Sequence, residues 1–465
     1  MSAAPISELL EPLFGSLEAC ALFTDRARIK GMLDFEAALA RAEARTGVIP
    51  ASAAPTIAKQ CRPELFDMTE LARGTARAGN PAIPLVKRLT ALVAADDPEA
   101  ARYVHWGATS QDAIDTGLVL QLRGFLDIFA ADLGRLSAAL ARLAEAQRTT
   151  PLVGRTWLQH ALPVTFGLKA AGWLDAIERH RKRISQVRAR ALVPQFGGAA
   201  GTLAALGERG LEVAEALAGE LGLANPALPW HAHRDRIVEI ATVLGLIVGT
   251  LGKIARDLSL LTQTEVAEAF EPGGEGRGGS STMPHKRNPV SAAVVLAAAM
   301  RAPGLVATLL SAMIQEHERG LGGWHAEWET LPQLCCLAAG ALRQTMETID
   351  GLALDPDRMR ANLEATHGQI LAEAVMMALG SRIGRLEAHD LVERACHRAS
   401  GSRRHLREVL AEDPAVTKHL SLGDLDRLFE PANYSGQAAV LVERVLREWR
   451  LASAPPASKR TGDKG

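Results

Sequence analysis

The sequence predicts an all-α protein, and three observations lead to this fold class. Aromatic residues make up only 4% of the 465 residues, while alanine and leucine recur throughout, as expected where helices pack closely through small side chains. Apolar residues recur at intervals of three and four over long stretches, which is the period of a helix with one buried face. Turn signals interrupt these stretches at only a few points.

Three long helices are predicted in the middle of the chain. One runs from Gly117 to about Gln147, with an apolar stripe on one face. A second runs from Arg236 to Phe270 and would be on the order of 50 Å long. A third is expected from Pro289 toward Glu316, with a kink at Pro303. Helices of this length bury their apolar faces by lying side by side, so the sequence predicts a central bundle of long helices.

The second long helix also carries apolar residues off its main stripe, namely Val243, Leu246, Ile247 and Leu260. One neighbouring helix would not bury all of them. Two interpretations stay open at this point: the bundle associates subunits, or it is buried within a single chain.

Turn signals give a division into three domains and a tail. An N-terminal helical domain covers residues 1–108, the long-helix domain covers 109–353, and a small C-terminal helical domain covers 354–451. In the last domain the predicted helices are shorter. Residues 452–465 are rich in proline, serine, lysine and glycine and are expected to be disordered.

Composition and charge exclude several classes of protein. The formal net charge is −1, so no overall field favours nucleic acid or an anionic membrane. No uninterrupted apolar run reaches the about 20 residues that cross a bilayer. The first residues lack the basic start and apolar stretch of a secretory signal, so a cytoplasmic protein is expected. The five cysteines are scattered and form no CxxC pair, which suggests neither a disulfide framework nor a zinc site.

The most informative stretch is the glycine-rich segment 271–289, between two predicted long helices. It contains five glycines, followed by a dense group of hydroxyl, basic and amide side chains. A flexible connection with solvated charges is the simplest interpretation. A phosphate loop is not supported, because G-x-x-x-x-G-K-[ST] is absent. A mobile lid that carries hydroxyls and cations over a substrate fits better.

Residues 279–288, GSSTMPHKRN, resemble the signature loop G-S-x-x-M-x-x-K-x-N of the fumarase/aspartase superfamily, whose members form or break bonds β to a carboxylate. HWGATSQD at 105–112 and GRTWLQHALP at 154–163 are similar to two further family segments, in the same order and spacing. The resemblance implies a three-domain, mainly helical subunit with a long-helix bundle. It also implies a homotetramer whose active sites are shared between subunits, and no cofactor or metal.

The resemblance also implies roles for the signature loop. Ser280 matches the serine that exchanges the proton α to the carboxylate, with Ser281 as a rival. A serine hydroxyl is too weak an acid to ionise unaided, so Lys286 and the positive end of the helix starting near Pro289 would stabilise its alkoxide. Lys286 and Asn288 would also hold a substrate carboxylate.

Further substrate-binding residues are expected in the other matching segments. Capping of the first long helix would also explain the presence of Thr109 or Ser110. A histidine such as His105, taken alone, more often has a structural role. Arg155, Arg234 and Arg319 are further anion-binding candidates, although any one of them could instead make a structural salt bridge. The expected substrate-binding residues outside the proton-transfer group are His105, Thr109, Ser110, Gln111, Arg155, Trp157, His160, Ser281, Met283 and Arg319.

Two departures from the lyases of the family are informative. Most members read G-R-T-H where this chain has Trp157, and tryptophan cannot transfer a proton to a leaving group. A carboxylate needs no such proton, because it is already an anion at neutral pH. Adenylosuccinate lyases carry phosphate-binding serines and an arginine where this chain has Trp324, His325 and Trp328.

Both departures resemble the lactone-forming cycloisomerases of the family, which implies a small tricarboxylate substrate. The alternative is an adenylosuccinate lyase-like enzyme that releases fumarate, and a non-catalytic helical assembly is the alternative outside enzymes. His231 and His233 are not expected to bind metal, because alternate residues diverge by about 200° on a helix.

Overall fold

The computed structural model describes residues 9–273, 278–279, 283 and 286–453. Helices dominate this part of the chain, which confirms the all-α class, and its strands form two short antiparallel pairs. The chain divides into two compact units. The first unit contains Met1–Gly134, His180–Lys253 and Ala293–Thr345, and the second contains Arg135–Arg179, Ile254–Ala292 and Met346–Gly465. The predicted three-domain division stays a prediction.

The α-helices up to residue 261 are α1 (Glu11–Phe14), α2 (Leu17–Ala21), α3 (Asp25–Arg45), α4 (Ala53–Gln60), α5 (Met68–Ala78), α6 (Ala82–Asp96), α7 (Ser110–Ala146), α8 (Phe166–Ala191), α9 (Gly210–Leu221) and α10 (Asp235–Leu261). Those that follow are α11 (Val290–Ala312), α12 (Gly323–Asp350), α13 (Pro356–Glu364), α14 (Ala372–Ile383), α15 (Arg385–Ser402), α16 (Leu406–Ala411), α17 (Pro414–Thr417), α18 (Leu422–Leu428) and α19 (Ala438–Ser453). The strands are β1 (Pro151–Thr156), β2 (Gln159–Thr165), β3 (Ala269–Phe270) and β4 (Ala353–Leu354). Short 3₁₀ helices cover Pro63–Leu65, Ala100–Tyr103, Ala204–Arg209, Gln369–Leu371 and Pro431–Tyr434.

The three predicted long helices are present as α7, α10 and α11, with different ends. Helix α7 begins earlier than predicted, at Ser110. The predicted extension of α10 to Phe270 is wrong, because the chain turns back after Leu261. At this turn the Thr262 hydroxyl lies 2.9 Å from the carbonyl oxygens of both Leu258 and Ala269. Helix α11 ends at Ala312 and contains Pro303.

Helices α3 and α7 cross in backbone contact within the first unit. A Cβ atom on Gly31 would lie 2.7 Å from the carbonyl oxygen of Gly117, and one on Gly117 would lie 2.9 Å from the backbone nitrogen of Met32. Real Cβ atoms do not approach backbone this closely, so only glycine fits at either position. The crossing places the start of α7 against the core around Phe35 and Leu39.

Each unit has its own apolar core. In the first unit, α3 packs with neighbouring helices around residues such as Phe35, Leu85 and Leu89, which are fully buried. In the second unit the C-terminal helices pack around Leu379 and Leu410, and Val153 of β1 joins that core. The β1–β2 hairpin is therefore fixed to the C-terminal helices.

The hairpin ends in a tight turn made of Trp157 and Leu158. Their φ angles are 52° and 63°, in the left-handed region that side chains other than glycine rarely adopt. Two residues in this conformation match the twist of a two-residue hairpin. His160 lies in β2 opposite Arg155, because this turn reverses the chain.

Within the described residues, two helices are long and apolar enough to cross a membrane by length and composition alone, although no uninterrupted apolar run in the sequence is that long. They are α10 and α11, whose apolar windows are 61% and 28% buried. Core helices pass the same test, and α10 has the burial of a core helix. Helix α11 leaves apolar surface uncovered in a single chain, with Met300 74% exposed.

The C-terminal part contains short helices, as predicted for residues 354–451. Helices α13 to α19 are each at most 18 residues long, against 37, 27 and 23 residues for α7, α10 and α11. Helix α19 continues to Ser453, two residues into the segment expected to be a disordered tail. The rest of that segment lies outside the described residues.

We expect Gly117→Ala to destabilise the protein by about 1–3 kcal/mol, since the added methyl group overpacks the crossing of α3 and α7. Gly134→Ala on the same helix is the matched control. A Cβ there meets nothing within 4 Å, so this change should raise stability by about 0.5–1 kcal/mol. Urea unfolding of both variants checks the prediction, and equal effects would contradict the close crossing.

Candidate active site

The residues at the start of α7 form the first part of the candidate site, in the first unit. Thr109 and Ser110 are half-buried, and within the described residues their hydroxyl groups make no hydrogen bond to protein. The backbone N–H of Thr109 donates to Asp112 Oδ2 at 3.0 Å. The two hydroxyls beside a helix N-terminus can therefore donate to an anion.

Gln111 is buried, and its side-chain amide forms hydrogen bonds with other residues of the chain. Its amide nitrogen donates to Asp115 Oδ2 at 3.0 Å and to the carbonyl oxygen of His231 at 2.9 Å. Its amide oxygen accepts from Nε of Arg319 at 3.0 Å. The structure thus brings two predicted site residues, Gln111 and Arg319, into direct contact.

Arg319 retains donors for a ligand. Besides Gln111, its guanidinium donates through Nη2 to the carbonyl oxygen of Ala199 at 3.0 Å. The residue is exposed, and a guanidinium has five N–H donors. The contacts fix the orientation of Arg319 and leave N–H groups that can bind a carboxylate.

Asp112 and His231 form a buried pair next to Gln111. His231 Nε2 lies 2.7 Å from Asp112 Oδ1. The same carboxylate accepts from the backbone N–H groups of Gly197 at 3.1 Å and Gly198 at 2.9 Å. Asp112 is thus the structural partner of His231. The same Asp112 carboxylate holds loop 197–198 against the start of α7.

Arg234, considered above as an anion-binding or structural residue, makes a structural ion cluster. Its Nη1 donates to Asp115 Oδ2 at 2.7 Å, and its Nε donates to Glu327 Oε1 at 2.9 Å. All three side chains are at most 1% exposed. Burial raises the pKa of Glu327, and Arg234 opposes that shift. Arg234 is therefore fully used by the protein.

Two tryptophans cover this cluster. Trp324 Nε1 donates to Asp115 Oδ1 at 2.9 Å, and the Trp324 and Trp328 rings make an edge-to-face contact with centroids 4.9 Å apart. These positions match the phosphate-binding positions of adenylosuccinate lyases in the sequence comparison above. Here the side chains of Trp324 and Trp328 pack against each other, and neither carries a charge that could bind a phosphate.

His105 is held by a carboxylate that sequence reasoning missed. Its Nδ1 lies 2.6 Å from Glu36 Oε1. Burial alone would lower the pKa of His105, but the nearby carboxylates of Glu36 and Asp112 outweigh it and raise that pKa above its usual value. The signal in the sequence was the position of an acidic residue, Glu36, between the apolar residues Phe35 and Leu39.

In the second unit, Arg155 lies next to the turn of the hairpin and is paired with a buried carboxylate. Its guanidinium donates to both oxygens of Glu268 at 2.8 Å. Glu268 is fully buried and also accepts from Asn362 at 2.8 Å. His160 faces Arg155 across the hairpin, and burial, then the charge of Arg155, lower its pKa. Glu268 was not identified from the sequence.

Trp157 stands at the tip of the hairpin and is 98% exposed. The salt bridge below it fixes where the tip lies, while the indole has almost no contact with its own chain. A side chain of this size rarely stays so exposed unless another molecule covers it.

The ends of the signature loop are joined by hydrogen bonds in the second unit. Glu271 caps α11, accepting from the backbone N–H groups of Ser291 at 3.0 Å and Ala292 at 2.7 Å. A carboxylate therefore occupies these two N–H groups, and the expectation that this helix end stabilises the Ser280 alkoxide stays a prediction. The backbone N–H of Asn288 donates to Gly278 at 2.8 Å.

The predicted loop residues are only partly covered by the structure. Lys286 and Met283 are exposed and Asn288 is half-buried, and the Lys286 N–H donates to the Met283 carbonyl oxygen at 3.1 Å. Ser280 and Ser281 lie outside the described residues, so their predicted roles stay predictions.

Comparison with known proteins places these residues in a family context. The family described as "Lyase" matches residues 18–304, and the one described as "Adenylosuccinate lyase C-terminus" matches residues 368–445. The 3-carboxy-cis,cis-muconate cycloisomerase of Pseudomonas aeruginosa is 62% identical over 448 residues, 96% of this chain and 98% of the relative. The enzyme of the same name from Bradyrhizobium diazoefficiens is 56% identical over 96% and 99% of the two chains.

A solved structure agrees with this similarity. The crystal structure of 3-carboxy-cis,cis-muconate lactonizing enzyme from Pseudomonas putida matches with a TM-score of 0.92 and 56% identity. The match covers 96% of this chain and 100% of that one. Fold and sequence similarity therefore extend over the same length.

We expect Arg234→Gln to destabilise the protein by about 3–5 kcal/mol, because it leaves the buried carboxylates of Asp115 and Glu327 without their cation. Arg190→Gln is the control. It removes an exposed ion pair with Glu239, whose arginine is 57% exposed, and should leave the unfolding midpoint unchanged. Denaturant unfolding compares the two, and similar midpoints would contradict the structural role of Arg234.

Proposed function

The chain belongs to the lyase family of the fumarase/aspartase superfamily, and from this we propose that it closes 3-carboxy-cis,cis-muconate to 4-carboxymuconolactone. The observation that carries the proposal is the 62% identity over 96% of the chain with a relative of that activity. The reaction belongs to the breakdown of the aromatic compound protocatechuate. The fumarate-releasing alternative is not favoured, since relatives that are 56–62% identical over nearly the whole chain carry the cycloisomerase name.

The chemistry of lactone formation agrees with the side chains present. One carboxylate oxygen of the substrate forms a C–O bond to a carbon of the double bond, and the π electrons move toward a second carboxylate. The resulting aci-carboxylate then takes a proton on its α carbon. No leaving group needs protonation, so Trp157 can replace the histidine of the lyases.

The proton-transfer group is proposed from the signature loop. Ser280 delivers the proton in the lactonising direction, and Lys286 and Asn288 stabilise the charge on the substrate carboxylate. Ser281 is the alternative proton donor. Met283 contributes apolar contact beside them.

The other substrate carboxylates are bound by two kinds of residues in this proposal. Thr109 and Ser110 donate from their free hydroxyls, and Arg319 donates from its remaining N–H groups. Gln111 acts by holding Arg319, because its amide is used by the protein. In the second unit, Arg155 acts by holding the hairpin that carries Trp157, and His160 is proposed to face the substrate as a neutral ring.

The protein is proposed to act as a homotetramer with shared active sites. Apolar residues on the long helices are exposed in the single chain, with Leu246 at 55%, Met300 at 74% and Leu310 at 48%. Association through α10 and α11 would cover them. It would also allow the exposed Trp157 to contact a neighbouring subunit. The enzyme is proposed to need no metal or cofactor and to work in the cytoplasm.

Mixing the purified enzyme with 3-carboxy-cis,cis-muconate tests the proposed function directly. The conjugated-diene absorbance should fall, because addition to one double bond ends the conjugation. Adenylosuccinate in a parallel cuvette is the control and should be stable. Turnover of adenylosuccinate alone would support the fumarate-releasing alternative, and turnover of neither would refute both.

We expect Ser280→Ala to lower kcat by about 10²–10⁴-fold, the usual contribution of a general acid. The free energy of unfolding should stay the same, since only one oxygen is removed. Ser281→Ala is the matched control and should keep kcat within about tenfold of the wild type. The opposite pattern, in which Ser281→Ala is the inactive variant, would assign the proton to Ser281.

A further inference from the structure

Glu36 contacts the proposed active site from its buried side. It lies on α3, and its side chain is 1% exposed. Oε1 lies 2.6 Å from Nδ1 of His105, and Oε2 has no hydrogen-bond partner in the described part of the chain. Among the described residues, His105 is therefore the one side chain that hydrogen-bonds this carboxylate.

The environment of Glu36 favours a positive charge on His105. A buried carboxylate without a cation is costly, and a neutral imidazole would not offset that cost. A protonated imidazole gives a charge-assisted hydrogen bond, for which 2.6 Å is a suitably short distance. The pair is best described as a buried carboxylate with an imidazolium on its outer side.

His105 is also held in a fixed position by its backbone. Its φ angle is 58°, and Gly107 follows with φ 68°. A Cβ on Gly198 would lie 2.8 Å from the carbonyl oxygen of Gly107, so loop 197–198 packs directly on this turn. A non-glycine residue in the left-handed region persists where its surroundings fix it, and such residues cluster at functional sites.

The second ring nitrogen of His105 is available to a ligand. Nδ1 is engaged by Glu36, and no described residue hydrogen-bonds Nε2. The side chain keeps 16% exposure. Four residues along the chain, Thr109 and Ser110 present their free hydroxyl groups.

On the basis of the proposed function, we propose that Glu36 is a positioning residue for lactone formation. By holding Nδ1, it presents a protonated His105 whose Nε2–H binds one of the three substrate carboxylates. The substrate contact is made by His105, and Glu36 sets the charge and direction of that donor.

The titratable groups around His105 decide how this contact depends on pH. Glu36 from α3 and Asp112 from α7 raise the pKa of His105 against the effect of burial. Asp112 is itself paired with His231. Glu43 lies two turns along α3 from Glu36, and burial, with a contribution from Glu36, raises its pKa to about 9. Glu43 is thus uncharged at neutral pH.

Glu36→Gln separates charge from shape. Glutamine keeps a hydrogen bond to Nδ1 but removes the negative charge, so the pKa of His105 should fall and the imidazolium should be lost at lower pH. We expect kcat/KM at pH 8 to drop by about 10–100-fold, in line with loss of a charge-assisted hydrogen bond. The drop should shrink as the pH is lowered, because a growing fraction of His105 is then protonated in the variant as well. The alkaline limb of the pH profile should therefore move down by at least about one pH unit.

Glu43→Gln is the matched control, because it changes a buried glutamate on the same helix that is uncharged in this range. Its pH profile should follow the wild type between pH 6 and pH 8. An unchanged profile in Glu36→Gln would overturn the proposal. An equal loss of activity at every pH, accompanied by a lower free energy of unfolding, would also overturn it, since that is the result of a structural role alone.

Binding of an unreactive tricarboxylate separates this proposal from the proposed function. Calorimetry with tricarballylate at pH 6 and pH 8 requires no turnover, and Glu36→Gln should weaken binding far more at pH 8. Failure of the proposed function would appear as a wild type that does not consume 3-carboxy-cis,cis-muconate. Failure of the Glu36 role would appear as equal tricarballylate affinity of both proteins at both pH values.

Discussion

The guanidinium of Arg234 joins the first turns of three long helices, and the first unit is organised around it. Arg234 immediately precedes α10, while its partners Asp115 and Glu327 lie near the starts of α7 and α12. Helix N-termini carry partial positive charge and repel one another when they converge. Two carboxylates with one guanidinium offset that repulsion, and they allow three helix starts to meet in a dry interior.

The candidate site depends on this cluster through a short series of hydrogen bonds. Asp115, which is bonded to Arg234, also accepts from Gln111, and Gln111 accepts from Arg319. These contacts link the orientation of the exposed Arg319 to the position of the buried Arg234. A buried ion cluster adds less to stability than to the uniqueness of an arrangement. Here that uniqueness fixes where an anion-binding side chain lies relative to Thr109 and Ser110.

Sequence reasoning predicted the elements whose information is local. Apolar periodicity located α7, α10 and α11, and the motif residues of three segments indicated the chemistry. It could not predict Glu36 opposite His105 or Glu268 opposite Arg155, because those pairs are 69 and 113 residues apart in the chain. It also missed the hairpin around Trp157, because its turn has no glycine and its φ angles follow from the strand pairing. The end of α10 was misplaced for a related reason, since Thr262 bonds to Ala269 beyond the helix.

Arg155 and Trp157 lie close together on the hairpin but have different roles. Arg155 is needed for the fold, whereas Trp157 distinguishes this chain from the lyases of its family. Arg155 is bonded to a fully buried glutamate, so a change there would leave Glu268 without its cation. Trp157, two positions on, is 98% exposed within its own chain, so the fold of the subunit places almost no demand on its side chain. The histidine-to-tryptophan difference can therefore arise without cost to folding, and it removes a proton donor that addition of a carboxylate does not need. In the proposed function, the side chain at this hairpin tip changes the reaction while the hairpin itself stays fixed by Arg155 and Glu268.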